Sequence, residues 1–183
     1  MKAIAIIEKY YERGSQAYFF LIEHGKAVAW KALEVAERMN GLNPDLTFIE
    51  EAALLHDIGI FNTNLPKIGC FGRHPYISHG YLGRELLEKE GLDAYALVCE
   101  RHVGIGLTVK DIENNSFPLP RRDMIPLSLE EQIICFADKF YSKDKSTLTV
   151  ARPIAEVREM VVRYGNDKLK KFDYWLEFFK EPL

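Results

Sequence analysis

The chain has 183 residues, 48% hydrophobic and 28% charged, with a formal net charge of -3. That length buries a substantial core without staples, so one domain over residues 1–183 is expected. The acidic balance argues against a nucleic-acid polymer as partner, and no apolar run approaches the roughly 20 residues that span a bilayer, so no membrane contact is expected.

The Met1–Ile7 run is cut short by Glu8 and Lys9, does not read as a secretory signal, and leaves a cytoplasmic location as the expectation. Nearly every segment then carries helical spacing. Ala3–Tyr11 is apolar and aromatic at that spacing, and Ser15–Ile22 reads as a second short helix or turn. A long amphipathic helix is expected to open at His24, which places this histidine in its first turn, and to stop at Asn40-Gly41. Thr47-Phe48-Ile49-Glu50 fits a capping box. The helix it would start is apolar enough to be central, and it ends in Leu54-Leu55-His56-Asp57-Ile58-Gly59. Burying a His-Asp pair there is costly unless both side chains find partners, which a metal would supply.

Residues 58–73, rich in Gly, Asn and Pro, read as a long loop of the kind that walls substrate sites. Pro75 suits the first turn of the next helix, Tyr76 to about Glu90, with His79 early in it and Gly80 and Gly83 permitting close backbone approach. Asp93 is expected to cap another helix with His102 at its end, followed by a glycine-rich turn over 103–108. Residues 114–126, with Arg121 and Arg122, read as a second long loop. Ser128-Leu129-Glu130-Glu131 is a further capping box, opening a helix that runs to Asp138. The last two helices are expected over about 153–164 and 167–179. In the second, Phe172, Tyr174, Trp175, Phe178 and Phe179 read as core packing or a homodimer contact rather than a base-stacking platform. No strand pair and no repeat is evident, and Cys70, Cys99 and Cys135 form no C-x-x-C pair, so neither a disulfide framework nor a zinc knuckle is indicated. The fold class is all-α, a helical bundle.

Taken singly, each histidine or aspartate reads equally as a packed or solvated side chain. Jointly, His24, His56-Asp57, His79, His102 and Asp138 lie at or near helix ends or glycine-rich turns, where side chains converge on a cavity. Six N/O ligands without thiolate suit Mn2+, Fe, Zn2+ or Mg2+. A carboxylate has two oxygens and can be shared between ions, whereas an imidazole offers one free nitrogen. Two metals roughly 3.5–4 Å apart can clamp a phosphoryl group and acidify a water that attacks phosphorus.

The order H…HD…H…H…D, carried by His56–Gly59, Ser78-His79-Gly80, Arg101-His102 and Phe136-Ala137-Asp138-Lys139, resembles the HD-domain metal-dependent phosphohydrolase superfamily over roughly residues 20–142. The resemblance implies an all-α bundle with the C-terminal helices, about 152–180, packed on that core. It assigns His24, His56, Asp57 and Asp138 to one metal, and His79 and His102 to a second that Asp57 bridges, with His56 and Asp57 as the catalytic pair. It implies hydrolysis of a small phosphorylated molecule, a nucleotide being the expected class, with two divalent ions per chain. A di-iron oxygenase of the same superfamily and a non-catalytic regulatory module are the alternatives. Branches that cleave cyclic dinucleotides resemble H-D-I-G-K with a later G-Y-P; Ile60 and Leu82 stand in those places here and argue against that substrate. His74, held extended by Pro75, is expected on the substrate side or behind the ligands. Arg101 and Lys139, beside ligands, are the phosphate contacts with a positional argument, among basic residues that also include Lys67, Arg73, Arg121, Arg122 and Lys143.

Overall fold

In the computed structural model, which describes residues 2–182, helices form almost all regular structure. They are α1 (Lys2–Tyr10), α2 (Gln16–Arg38), α3 (Leu46–Leu55), α4 (His79–Lys89), α5 (Asp93–Arg101), α6 (Val109–Asn114), α7 (Leu129–Asp138), α8 (Ile154–Val161) and α9 (Asn166–Phe178). The all-α class is as expected; several boundaries are not.

The break expected before His24 is absent. The Ser15 hydroxyl accepts from the Tyr18 N–H, and α2 runs unbroken for 23 residues. His24 therefore sits in the third turn, on the buried side with Leu21 and Val28. The lone interior glycine, Gly25, does not break the helix because it serves packing: a Cβ there would lie 3.1 Å from Leu54 Cα of α3. The cap of α3 is Asp45, whose carboxylate accepts from the Phe48 N–H at 2.9 Å, so the helix opens two residues before the expected Thr47 box. Asp93 is the first residue of α5 rather than its cap. At α7, Ser128 accepts from the Glu131 N–H, but the Glu131 carboxylate reaches the Leu127 N–H, one residue upstream of a standard box.

Residues 58–73 are ordered rather than open. A 3-10 turn, Ile58–Asn62, leads into a ribbon of two-residue strands, β1 (Asn64–Leu65) and β2 (Cys70–Phe71), joined by a second 3-10 turn, Pro66–Ile68, and antiparallel with Asn64 opposite Phe71. This strand pair is too short to show alternation, which is why spacing did not reveal it. Helix α6 fills the stretch between the turn expected over 103–108 and the loop expected over 114–126, where spacing indicates no element. Its capping box is made by Thr108 and Asp111, with a shorter carboxylate than the usual Glu or Gln.

Among the described residues, two large apolar clusters and a small one of Leu107, Ile112 and Met124 form the interior. One joins α2, α3, α7, α8 and α9 around Phe136, whose ring lies 5.1 Å from Phe140, 5.5 Å from Phe172 and 5.1 Å from Phe179. Of the C-terminal aromatic stripe, Phe172, Trp175 and Phe179 are buried there, while Tyr174 is 56% exposed. The other large cluster joins α1, the start of α2, the end of α3 and the 58–70 segment to α4 and α5. These two clusters divide α2 between Ile22 and Ala27, and α3 between Ala53 and Leu54. His24 and the His56-Asp57 pair stand at that seam. Among the described residues, no helix is long and apolar enough to cross a membrane.

Candidate metal centre

Helix ends deliver most of the polar side chains to the seam. His56 caps α3 at its C-terminus with Asp57 next, His79 opens α4, His102 caps α5, and Asp138 is the last residue of α7. Three imidazoles are pinned in the same way. Nδ1 of His56, His79 and His102 bonds the carbonyl three residues earlier, that of Ala53, Tyr76 and Cys99, at 2.6, 2.6 and 2.7 Å. A carbonyl only accepts, so Nδ1 carries the hydrogen in the neutral ring and Nε2 presents a lone pair inward.

These nitrogens gather around the two oxygens of Asp57, which is fully buried. On one side, Asp57 Oδ2 lies 3.3 Å from His24 Nε2 and 3.2 Å from His56 Nε2. Asp138 Oδ1 completes that set at 3.0 Å from His24 and 3.5 Å from His56. On the other side, Asp57 Oδ1 lies 3.3 Å from His79 Nε2 and 3.5 Å from His102 Nε2, which are 3.1 Å from each other. Donors bound to one ion at about 2.1 Å lie roughly 3.0–3.5 Å apart, so both sets have the spacing of a coordination shell. His56, Asp57 and His102 also approach closely enough to share an ion.

Hydrogen bonds within the described residues do not satisfy all of these atoms. His56 Nε2 and both Asp57 oxygens are buried without a well-aligned hydrogen bond, as is His24 Nδ1. Each such atom costs about 1–3 kcal/mol of lost hydration, a cost that a bound cation removes at the inward-facing atoms. Burial pushes the His79 and His24 pKa values down to about 3 and about 4, leaving both neutral and able to ligate. Burial pulls His102 down as well. Burial acts against ionisation of Asp57 and Asp138, yet the lysines beside them, Lys143 and Lys139, hold both well below the ordinary carboxylate value. For His56, burial is outweighed by Asp57 and Asp138, which raise it to about 9.

A cavity of about 200 Å3 opens onto this cluster, walled by Tyr76, His79, His102, Asp138, Lys139, Lys143 and Tyr164 among others. Lys139 Nζ donates to Asp138 Oδ2 at 2.6 Å and to the His102 carbonyl at 3.1 Å, so it braces two ligands while facing the cavity. The other two expected substrate contacts are elsewhere. His74 is exposed, its backbone bonded to Asn62 and Asn64, and it is not part of the cavity wall. Arg101 directs one guanidinium nitrogen at both oxygens of Glu131, 2.8 and 3.0 Å away. Two residues have a larger part than their positions suggested. Tyr76 stacks on His79 with centroids 4.6 Å apart, and Lys143 Nζ lies 2.6 Å from Asp57 Oδ2.

A family model described as HD domain matches residues 21–142, a span that holds all six converging His and Asp residues. The chain belongs to the HD domain family. Membership places it among metal-dependent hydrolases whose domains bind divalent metals. An uncharacterized protein of Methanocaldococcus jannaschii is 36% identical over 121 residues, 64% of each chain. The tRNA (cytidine(56)-2'-O)-methyltransferases of Thermoplasma volcanium and Picrophilus torridus are each 31% identical over 74% of this chain, but over only 35% and 34% of their own length. The HD chain thus spans about a third of those methyltransferases. No solved structure is significantly similar.

Proposed function

We propose that this HD domain is a phosphohydrolase that uses two divalent ions to cleave a small phosphorylated molecule, with a nucleotide as the leading class. The observation that carries this reading is the division of Asp57, one oxygen to the His79–His102 pair and the other to the His24–His56–Asp138 set. His24, His56, Asp57 and Asp138 would hold one ion, and Asp57, His79 and His102 the other. Such ions supply charge neutralisation at a phosphoryl oxygen and an acidified water as nucleophile.

The rest falls to the chain itself. The carbonyls of Ala53, Tyr76 and Cys99 keep three imidazoles in the ligating tautomer, so no rotation is needed before binding. Near-complete burial of the ligands excludes bulk water and strengthens every charge interaction with the substrate. Lys139 uses two of its three donors on Asp138 and His102, leaving one to meet a phosphoryl oxygen. Two ammonium groups on the cavity wall favour an anionic phosphate over the dioxygen of an oxygenase. A cavity of about 200 Å3 suits a phosphoryl group on a small molecule better than a nucleic-acid polymer.

The test is phosphate release by the Mn2+-loaded protein from a panel of nucleotides and simple phosphomonoesters, with Asp57→Ala alongside. Turnover of at least one compound, lowered at least about a hundredfold in the variant, is expected. Full metal occupancy with no phosphate release, or dioxygen uptake instead, would overturn the proposal.

A further inference from the structure

We propose that Lys143 is a placeholder for the metal: its ammonium occupies the Asp57–His24 corner in the metal-free chain, and ion binding turns it into the cavity as a ligand for the phosphoryl group. The second half rests on the phosphohydrolase reading above; the first does not.

Lys143 reaches the corner from the segment after α7, its side chain only 16% exposed. Nζ lies 2.6 Å from Asp57 Oδ2 and 3.3 Å from His24 Nε2. Both atoms belong to the His24–His56–Asp138 set, so the ammonium and an ion would share two donors at contact distance. Like charges that close in a buried site exclude one another, and a divalent ion would meet all four donors of His24, His56, Asp57 and Asp138 where the ammonium reaches two. Lysine is suited to such exchange, being a compact charge on a flexible four-carbon stem.

The displaced ammonium has a destination. Lys143 already lines the cavity with Lys139, and its Nζ sits 5.7 Å from the Tyr76 ring centroid, on the face of that ring. The backbone just before it is tied, since the Arg152 N–H donates to the Phe140 carbonyl and Arg152 Nη1 to the Tyr141 carbonyl. Movement is therefore a side-chain rotation about a fixed attachment, which brings a charge freed from Asp57 to the space beside Lys139. Lys139 differs because its bonds to Asp138 Oδ2 and the His102 carbonyl compete with no inward donor of the two sets except through Asp138's outer oxygen.

The experiment uses the full chain, stripped with chelator, and two titrations: Mn2+ into the stripped protein, and inorganic phosphate into the Mn2+-loaded protein. Lys143→Met should bind its first Mn2+ about tenfold more tightly, because the ammonium no longer holds the site closed. The same variant should bind phosphate about tenfold more weakly, having lost a charge-assisted donor. Lys143→Gln, which keeps a polar contact to Asp57, should shift both affinities the same way and replaces the Met variant if that chain unfolds when stripped. Unchanged or weaker Mn2+ binding in the neutral variants overturns the placeholder, and unchanged phosphate binding overturns the phosphoryl contact. Should both shifts appear while the loaded wild type hydrolyses no phosphoester, the hydrolase reading fails and the lysine exchange stands.

Discussion

Phe136 and Asp138 are two residues apart on α7 and belong to regions built on opposite terms. Phe136 is fully buried among Phe140, Phe172, Trp175 and Phe179, with ring centroids 5.1–6.4 Å away. Every contact there is complete within the chain. Asp138 closes a cluster of four histidines and two carboxylates in which His56 Nε2 and both Asp57 oxygens are buried without hydrogen bonds. One region stabilises the fold by itself, and the other draws on that stability until a cation arrives. The same helices supply both, so stability and chemistry can be perturbed separately.

The largest expected effect lies on the apolar side. Phe136→Ala should lower unfolding free energy by about 3–5 kcal/mol in a denaturant titration, while the folded fraction keeps its metal stoichiometry. Loss of metal binding along with stability would show that the two regions are not separable.

Chelation probes the polar side. An ion at about a hundred times its dissociation constant stabilises by about 2.7 kcal/mol, so stripping it should lower the melting temperature by roughly 5–10 °C in calorimetry. No shift would mean that the seam has no cation to lose.

The His56 proton gives the comparison a pH axis. Its pKa is raised, so protonation stabilises the metal-free chain below the ordinary histidine value, and this stabilisation is lost as pH rises through about 9. An ion needs the neutral ring, so Mn2+ affinity should climb with pH by up to about tenfold per unit and level off near 9. Calorimetry in buffers of different ionisation enthalpy should show the released proton; a flat profile would contradict the assignment of His56 as a ligand.

The smallest effect belongs to a satisfied polar contact. Asp111 caps α6 and accepts from Lys168, whose Nζ also donates to the Gly106 carbonyl beside the cavity loop. Burial opposes its charge, but Lys168 and Thr108 hold its pKa below the ordinary value. Its contribution is therefore present above about pH 3.9 and lost as pH falls through the folded-state value. Asp111→Asn should cost less than about 1 kcal/mol near neutral pH, because the carboxylate is partly exposed, and should flatten the acid limb of a stability profile.

Different parts of this contrast were legible in the sequence for different reasons. The His-Asp order is a pattern of residue types, and it pointed to the six side chains that the fold brings to one seam. The helical class followed from spacing over long segments such as α2. What spacing could not carry was where each element began, because Asp45 and Thr47 are both competent caps and only packing chose between them. The Nδ1 partners were invisible because they are backbone carbonyls, which have no residue type. Lys143 read as one basic residue among many, since its contact with Asp57 depends on how the chain turns after α7. His74 shows the converse: a fifth histidine close to a motif attracts a functional reading, yet here its backbone ties the 62–64 segment and the residue is exposed.

The most direct measurement is the metal content of the chain purified without added metal, for wild type and Asp57→Ala together. About two ions per wild-type chain, falling sharply in the variant, is the expected result, because among the described residues Asp57 alone has an oxygen in each donor set. No bound ion in the wild type, even after reconstitution with Mn2+, Fe2+ or Zn2+, would contradict the reading of this seam as a binuclear metal centre.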